Sequence, residues 1–167
     1  MQRALTITTE ANKHPDGFLE VTIYEASNLP NTDASAFSLF GGSNDVTDPL
    51  VSVNMDGVNL ARTRCIDNTL NPVWDEHSIL PLYGDLKDVV VNVLDDDLIG
   101  EESVASAGFK VAEFTRGEFI DGWFDLKNKK GKQCGKIKLA IQHFPNTANT
   151  KLLRDNYKND PVIIIDH

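Results

Sequence analysis

The stretch FLEVTIYEA at residues 18–26 decides the fold class of this chain. It alternates apolar and polar residues, and it places Leu19, Val21 and Ile23 on one face of an extended segment. Alternation with a period of two residues is typical of a strand that has one buried side and one solvent-facing side. The stretch therefore predicts a strand of an antiparallel sheet.

Similar short segments recur along the chain, and turn-forming residues separate them. The further predicted strands cover residues 48–55, 58–66, 74–83, 88–94, 103–111, 119–126 and 135–144. Residues 112–118 are compatible with a short helical turn, and residues 5–10 with a ninth strand at an edge. Eight short strands at this spacing predict an all-β fold, namely an eight-stranded antiparallel β-sandwich of the Greek-key type.

The chain divides into three predicted parts. Residues 1–16 form an N-terminal extension or edge strand, residues 17–145 a single domain, and residues 146–167 a tail or linker. No run of 18 apolar residues predicts a membrane span, and the first residues lack the apolar core of a secretory signal. Cys65 and Cys134 are too few for a disulfide scaffold. These features predict a cytoplasmic protein with reduced thiols.

The formal net charge of the chain is −9 at pH 7. A negative chain is a poor match for nucleic acid, whose binding proteins carry clusters of Lys and Arg. It is also repelled by anionic membranes, unless a cation or a local basic patch reverses the sign. Nucleic acid is therefore not an expected partner.

Acidic residues concentrate in two loops. A long loop at residues 29–47 and its junction with the next strand carry Asp33, Asp45 and Asp48. A second acidic loop at residues 95–102 carries Asp95, Asp96, Asp97, Glu101 and Glu102. If all strands are antiparallel, alternate loops share one end of the domain. The two acidic loops should then be neighbours, together with the loops at 67–73 and 127–134.

Clustered carboxylates on loops suit a hard cation. Calcium accepts about six to eight oxygen ligands in irregular geometry, whereas magnesium requires a stricter octahedron. Zinc prefers Cys and His, which show no ligand spacing here. In an extended segment, Asp95 and Asp97 point to the same side and Asp96 points away. Asp95 and Asp97 are therefore the expected ligand pair, and Asp96 contributes its backbone carbonyl.

The carboxylates allow two other interpretations. An acidic turn is often simply solvated, but the convergence of two such loops favours a bound cation because unneutralised repulsion costs stability. General acid–base catalysis of the glycosidase kind requires a cleft with one protonated carboxyl group. No nucleophile motif or aromatic sugar platform accompanies the carboxylates. The chain is therefore not predicted to be an enzyme.

Four motifs in order resemble the successive signatures of a C2 domain over residues 17–145, namely GFLEVTIYEASNLPNTD, TDPLVSV, NTLNPVWDE and VNVLDDDLIG. The strand order resembles the type II topology of phospholipase D and novel protein kinase C domains. The motif NLPNTD, the long first loop and GKQCGKIKLAIQ resemble most the N-terminal domain of plant-type phospholipases D. The resemblance implies a sandwich that binds calcium and phospholipid through loops at one end, with Trp74 in its core. No phospholipase catalytic motif, HxKxxxxD, is present.

The resemblance also implies which residues hold calcium. They are the first-loop aspartate after NLP, the aspartate of TDPL, the third-loop pair and the nearest following acid. The implied ligands are the side chains of Asp33, Asp48, Asp95, Asp97 and Glu102 and the backbone carbonyls of Thr32 and Asp96. Asp45 competes with Asp33, because the first loop is longer than in the simplest family members. One to two calcium ions are expected, and three at most.

Apolar residues at the loop tips are predicted membrane contacts. They are Phe37, Leu39 and Phe40 in the first loop, and Leu98 and Ile99 in the third. Burial of one such side chain is worth roughly 1.5–3 kcal/mol. Alternatively, Phe37 and Phe40 fold back to cover the interior of their own loop.

Basic residues provide a second predicted contact with lipid. The segment KNKKGKQCGKIK at 127–138 holds six lysines, and those expected at lipid are Lys129, Lys130 and Lys132. Each adds about 1 kcal/mol near an anionic surface, although a solvated hairpin is the simpler interpretation. The family's other basic site retains Arg62 and Arg64.

The predicted function is calcium-dependent binding to anionic phospholipid. Calcium would neutralise the acidic loops and accept lipid phosphate oxygens, so that a cytoplasmic protein becomes peripherally membrane-bound. One alternative is a calcium-independent protein-interaction domain. Another is the targeting domain of a larger lipid-modifying enzyme.

Overall fold

The structure is a computed structural model that describes residues 15–32, 46–83, 87–97, 100–114 and 119–145, without the side chains of residues 97, 100 and 114. The predicted N-terminal part, including the ninth strand at 5–10, lies outside these residues except for its last two positions. The predicted tail at 146–167 also lies outside them.

The eight predicted strands are confirmed. In chain order the elements are β1 (Gly17–Ser27), β2 (Pro49–Met55), β3 (Val58–Arg62), β4 (Val73–Leu82), β5 (Asp88–Asp97), β6 (Gly100–Lys110), α1 (Val111–Phe114), β7 (Ile120–Lys127) and β8 (Gln133–Pro145). Within the described residues, no helix is long and apolar enough to cross a bilayer.

Three strand ends differ from the prediction by three or more residues. β3 ends at Arg62 rather than at residue 66, because the Thr63 hydroxyl replaces a backbone carbonyl as acceptor of the Val51 N–H at 2.9 Å. The predicted acidic loop at 95–102 is largely strand. β5 continues to Asp97 and β6 begins at Gly100. The two strands pair through this region, with Asp95 opposite Glu102.

The strands form an antiparallel sheet in the order β3-β2-β5-β6-β7-β8-β1-β4. β6 and β7 are paired at a single register position of the described residues, Ser106 opposite Lys127. The sheet therefore folds there into two four-stranded halves, β3-β2-β5-β6 and β7-β8-β1-β4. β1 pairs with β4 and β8 rather than with β2, which is the non-sequential connectivity of a Greek-key sandwich.

Both halves contribute alternate residues to one core. In the first half, Val89, Val91 and Val93 of β5 are fully buried. In the second half, the predicted inward face of β1, which includes Leu19, is buried as well. Trp74 on β4 is 1% exposed, so its predicted core position is confirmed. Burial of each such side chain stabilises the fold by about 1.5–3 kcal/mol.

A glycine allows β8 to begin close under the end of β1. Gly135 has a φ of +82°. A Cβ atom at this position would meet the carbonyl oxygens of Ser27 and Asn28, each at 2.8 Å. Only glycine fits here without a shift of the backbone. The close approach brings the β7–β8 turn to the same end of the domain as the first loop.

Candidate metal centre

Four loops meet at one end of the sandwich. The Asp48 N–H, at the end of the first loop, donates to Asp95 Oδ1 on β5 at 2.8 Å. The Asn68 N–H, between β3 and β4, donates to Asp48 Oδ1 at 2.5 Å. Lys129 in the β7–β8 turn lies 3.9 Å from Glu102 at the start of β6. These contacts confirm that the alternate loops share one end, as the parity of the strands predicted.

Asp95 lies at the centre of this arrangement and is fully buried. Its Oδ1 atom accepts the Asp48 N–H, and its Oδ2 atom accepts the hydroxyl of Thr32. The β2–β5 register, in which Pro49 lies opposite Asp95, holds the carboxylate in this place. One carboxylate thus connects both stems of the first loop to β5.

The two stems of the first loop are also bonded directly to each other. The Thr47 hydroxyl accepts the Thr32 N–H at 3.1 Å and donates to the Pro30 carbonyl at 3.2 Å. Thr47 is fully buried, and its own carbonyl accepts the Thr69 N–H at 3.1 Å. The base of the first loop is therefore closed by hydrogen bonds. Sequence reasoning missed Thr47, whose position just before the TDPL aspartate was its only signal.

Asp48 combines a structural role with an available oxygen. Its carbonyl accepts the Asp96 N–H at 3.1 Å and the Cys65 thiol at 3.3 Å. Its Oδ1 atom is held by the Asn68 N–H. The Oδ2 atom has no hydrogen-bond partner among the described residues. A half-buried carboxylate with one fixed and one available oxygen is well placed to hold a cation.

The pKa of the Cys65 thiol is raised by its surroundings at this end of the domain. Burial first, and then the carboxylates of Asp96, Asp48, Asp67 and Asp95, raise its pKa to about 11. Cys65 is therefore a neutral thiol at physiological pH. The same effect identifies Asp67 as an acidic neighbour of the centre, which the sequence analysis did not include.

The donor set fits a hard cation, because carboxylate and carbonyl oxygens are the ligands that calcium takes. Asp48 and Asp95 lie next to each other, and the Asp96 side chain is exposed beside them. Over the described part of the chain, no group of three or more His, Cys, Asp or Glu side chains forms a ready metal cage. Of the other predicted ligands, Asp33, Asp45 and the side chain of Asp97 lie outside the described residues.

The two glutamates at the start of β6 are engaged with basic residues. Glu102, a predicted ligand, lies opposite Asp95 in the β5–β6 register. Its exposed side chain is 3.9 Å from the Lys129 ammonium group. Glu101 forms an ion pair with Arg62 of β3. These pairs reduce the repulsion that carboxylates on facing strand positions would otherwise create.

Arg62 and Arg64, both predicted lipid contacts, have acidic partners. In addition to the Arg62 pair, Arg64 Nη1 donates to Glu76 Oε1 at 2.8 Å, and its Nη2 donates to the Val73 carbonyl at 3.2 Å. Arg64 therefore binds the segment after β3 to the edge of β4. Both arginines therefore form polar contacts within the domain.

The remaining predicted lipid contacts divide into two sets. The apolar tips lie outside the described residues, namely Phe37, Leu39, Phe40, Leu98 and Ile99. The three lysines of the β7–β8 turn, Lys129, Lys130 and Lys132, are exposed. Asn128 fixes this turn, because its Oδ1 atom accepts the N–H groups of Lys130 and Lys132, each at 3.0 Å.

Several known proteins resemble this chain in sequence. Phospholipase D gamma 3 of Arabidopsis thaliana is 30% identical over 149 residues, which cover 77% of this chain and 17% of that protein. Phospholipase D beta 1 of the same plant is 31% identical over 145 residues, covering 77% of this chain and 13% of that protein. The chain thus spans less than a fifth of the length of these phospholipases.

Solved structures share the fold. A C2 domain of plant extended synaptotagmin 1 superposes with a TM-score of 0.64 at 21% identity, covering 81% of this chain and 99% of that one. A calcium-bound structure of two C2 domains of extended synaptotagmin 2 gives a TM-score of 0.68 at 22% identity, covering 87% of this chain and 53% of that one. The C2 domain profile matches residues 17–126. This chain, with its eight-stranded sandwich and its loops converging on Asp95, belongs to the C2 domain family.

Proposed function

We propose that this domain binds anionic phospholipid membranes in response to calcium. The observation that carries the proposal is the position of Asp95, a buried carboxylate that lies beside Asp48 where the loops of a C2 domain meet. A buried carboxylate is costly unless hydrogen bonds or a cation compensate its charge. The oxygen donors at this place are those that calcium prefers.

The proposed centre holds one to two calcium ions, and three at most. Asp48 and Asp95 would provide the inner ligands, and Asp33, Asp45, Asp97, Glu102 and the carbonyls of Thr32 and Asp96 the others. Bound calcium would supply positive charge and coordination positions for lipid phosphate oxygens. Lys129, Lys130 and Lys132 would add favourable contacts with anionic headgroups, and the apolar residues of the first and third loops would enter the headgroup layer.

The charge balance supports a dependence on the cation. The chain carries a net charge of −9, so without calcium an anionic surface repels the acidic end of the domain. Lys129 is then also paired with Glu102. Neutralisation of the carboxylates would remove the repulsion and release Lys129 to bind lipid. The protein would thus pass from the cytoplasm to the membrane surface.

The proposal is tested by sedimentation with vesicles of phosphatidylcholine and phosphatidylserine, in calcium and in chelator. Calcium should also raise the unfolding temperature, since a ligand of the native state stabilises it by mass action. Asp48→Asn should weaken both effects. Asp16→Asn removes the same charge at the opposite end of the domain and is the matched control. Vesicle binding that is unchanged by chelator would contradict the proposal.

A calcium-independent interaction domain is the second candidate, and one observation favours it. Both oxygens of Asp95 already accept hydrogen bonds, and Glu101 and Glu102 are paired with Arg62 and Lys129. These hydrogen bonds and ion pairs partly compensate the negative charge of the acidic end. Calcium that fails to raise the unfolding temperature would favour this candidate.

We further propose that the domain is a non-catalytic targeting unit of a larger lipid-modifying enzyme. Its similarity to plant phospholipases D over less than a fifth of their length supports this arrangement. In the proposed organisation, residues 17–145 form the binding unit and residues 1–16 and 146–167 are flanking segments. Analysis of the full-length gene product for a phospholipase catalytic motif tests the assignment.

A further inference from the structure

A row of three side chains crosses the outer face of the β7-β8-β1-β4 half. Trp123 on β7 lies opposite Lys138 on β8 in the strand register. Lys138 Nζ lies 5.5 Å from the ring centroid of Tyr24 on β1. The alternate residues Leu126 and Ile137 of the same strands are fully buried. Because side chains alternate between the faces of a sheet, the Tyr24–Lys138–Trp123 row points to solvent.

Trp123 is 46% exposed, whereas Trp74 in the core is 1% exposed. A tryptophan side chain has a large apolar body and one polar N–H group, which suits the boundary between water and an apolar phase. Single exposed apolar residues are common on protein surfaces and need no functional explanation. The surroundings of Trp123 therefore decide whether it is part of a binding surface.

Those surroundings are basic, in a chain whose net charge is negative. The outer face of β7 and β8 and the turn between them carry Lys127, Lys129, Lys130, Lys132, Lys136 and Lys138. The carboxylates on or against this face are Glu20, Glu25, Glu102, Asp121 and Asp125. Lys127, Lys130 and Lys132 have no ion-pair partner among the described residues. The positive charge of this face is thus in excess.

We infer that the outer face of β7 and β8 is a second membrane-docking surface, on which Trp123 enters the interface and the lysines contact lipid phosphates. The inference rests on the proposed membrane binding and adds the orientation of the domain. Charge complementarity identifies anionic phospholipid as the ligand. The surface is also continuous with the loop end, because Lys129 of the turn lies 3.9 Å from Glu102 beside the candidate metal centre.

The position of Trp123 determines how the domain must lie. Trp123 is four residues before Lys127, the last residue of β7, which corresponds to about 13 Å along a strand. The polar layer of one leaflet is only about 5–8 Å thick. A domain that stood upright on its loop tips would keep Trp123 in water. For Trp123 to contact the membrane, the bound domain therefore leans on its β7–β8 side.

The two tryptophans make this orientation measurable. Trp74 is buried in the core, so a change of intrinsic fluorescence on vesicle addition reports on Trp123. The experiment uses the full chain and vesicles of phosphatidylcholine with and without phosphatidylserine, each in calcium and in chelator. With phosphatidylserine and calcium we expect a blue shift of the emission and protection from acrylamide quenching.

A pair of variants distinguishes a specific docking surface from nonspecific adsorption through exposed aromatic side chains. Trp123→Ala should weaken vesicle binding about tenfold, the effect of losing one well-placed aromatic contact. Phe119→Ala removes an aromatic side chain that is 57% exposed at the other end of β7, and it should bind like the wild type. Because both side chains are exposed, thermal unfolding should confirm that both variants fold.

The outcomes distinguish this inference from the proposed function. Calcium-dependent sedimentation with unchanged emission and full binding by Trp123→Ala would overturn the side-on docking and leave the proposed function intact. No vesicle binding in either condition would overturn both. A blue shift that persists in chelator would support the docking surface and contradict calcium dependence. A shift with polyglutamate but not with vesicles would indicate an acidic protein partner and overturn the membrane assignment.

Discussion

The backbone N–H of Asp48 donates to Oδ1 of Asp95 at 2.8 Å, across 47 positions of the sequence. This bond joins the end of the first loop to the end of β5. With the Thr32 hydroxyl on the other oxygen, Asp95 joins three segments through hydrogen bonds. The carboxylate that sequence reasoning assigned as a calcium ligand is thus also a structural link between these segments.

Replacement of Asp95 by Ala should destabilise the domain by about 1–3 kcal/mol, measured by denaturant unfolding in chelator. The Asp48 N–H and the Thr32 hydroxyl would both lose their acceptor in a buried place. Asp96→Ala, at the exposed neighbouring position, should change the free energy of unfolding by less than about 0.5 kcal/mol. If Asp95→Ala changed the free energy of unfolding in chelator as little as Asp96→Ala, Asp95 would have no structural role without calcium.

Replacement of Thr47 by Val should cost about 1–3 kcal/mol of stability, because the buried hydroxyl bonds to both stems of the first loop. Thr47→Ser keeps the hydroxyl and should recover most of this free energy. Urea unfolding of both variants in chelator measures the difference. A Thr47→Val variant as stable as the wild type would show that the hydrogen bonds of this hydroxyl do not stabilise the base of the first loop.

The strands and the convergence of the loops could be predicted from local patterns. Alternation such as that of Leu19, Val21 and Ile23 identifies a buried face directly, and antiparallel strand order then forces alternate loops to one end. The hydrogen bonds of Thr32 and Thr47 could not be predicted, because their partners lie 15 to 63 positions away in sequence. The sequence contains no local signal for such contacts.

The predicted boundary between β5 and β6 is wrong for a physical reason. Acidic residues are rare in strands, so the composition of residues 95–102 indicates a loop. In the structure the strands pair through this region, with Asp96 opposite Glu101. Arg62 on β3 binds Glu101 and offsets the repulsion. A basic residue some 40 positions away therefore permits a strand that local composition disfavours.

Replacement of Gly135 by Ala should destabilise the domain by about 2–4 kcal/mol. The substitution combines the cost of a positive φ, about 1–2 kcal/mol, with the displacement of two carbonyl oxygens that lie 2.8 Å from the new Cβ atom. Gly131→Ala is the matched control. Its φ is +76° but nothing lies within 4 Å of the added carbon.

Gly131→Ala should therefore cost only the conformational part, about 1–2 kcal/mol. Thermal or denaturant unfolding of the two variants measures the difference, which isolates the close approach of β8 to the end of β1. Equal losses would mean that the backbone near Asn28 moves aside freely. The first loop would then not depend on the packing of β8.

The thiol of Cys65 should react slowly with alkylating reagents at neutral pH. Its pKa of about 11 reflects burial and the nearby carboxylates, and the thiolate is the reactive form. Because the pKa is raised, the thiol stays protonated at neutral pH. The thiolate fraction, and with it the alkylation rate, should rise about tenfold per pH unit until the pH approaches 11. A Cys134→Ser background restricts the signal to Cys65. Rapid alkylation that levels off near pH 8.5, the range of an unperturbed thiol, would show that neither burial nor the carboxylates of the loop end raise the pKa of this thiol.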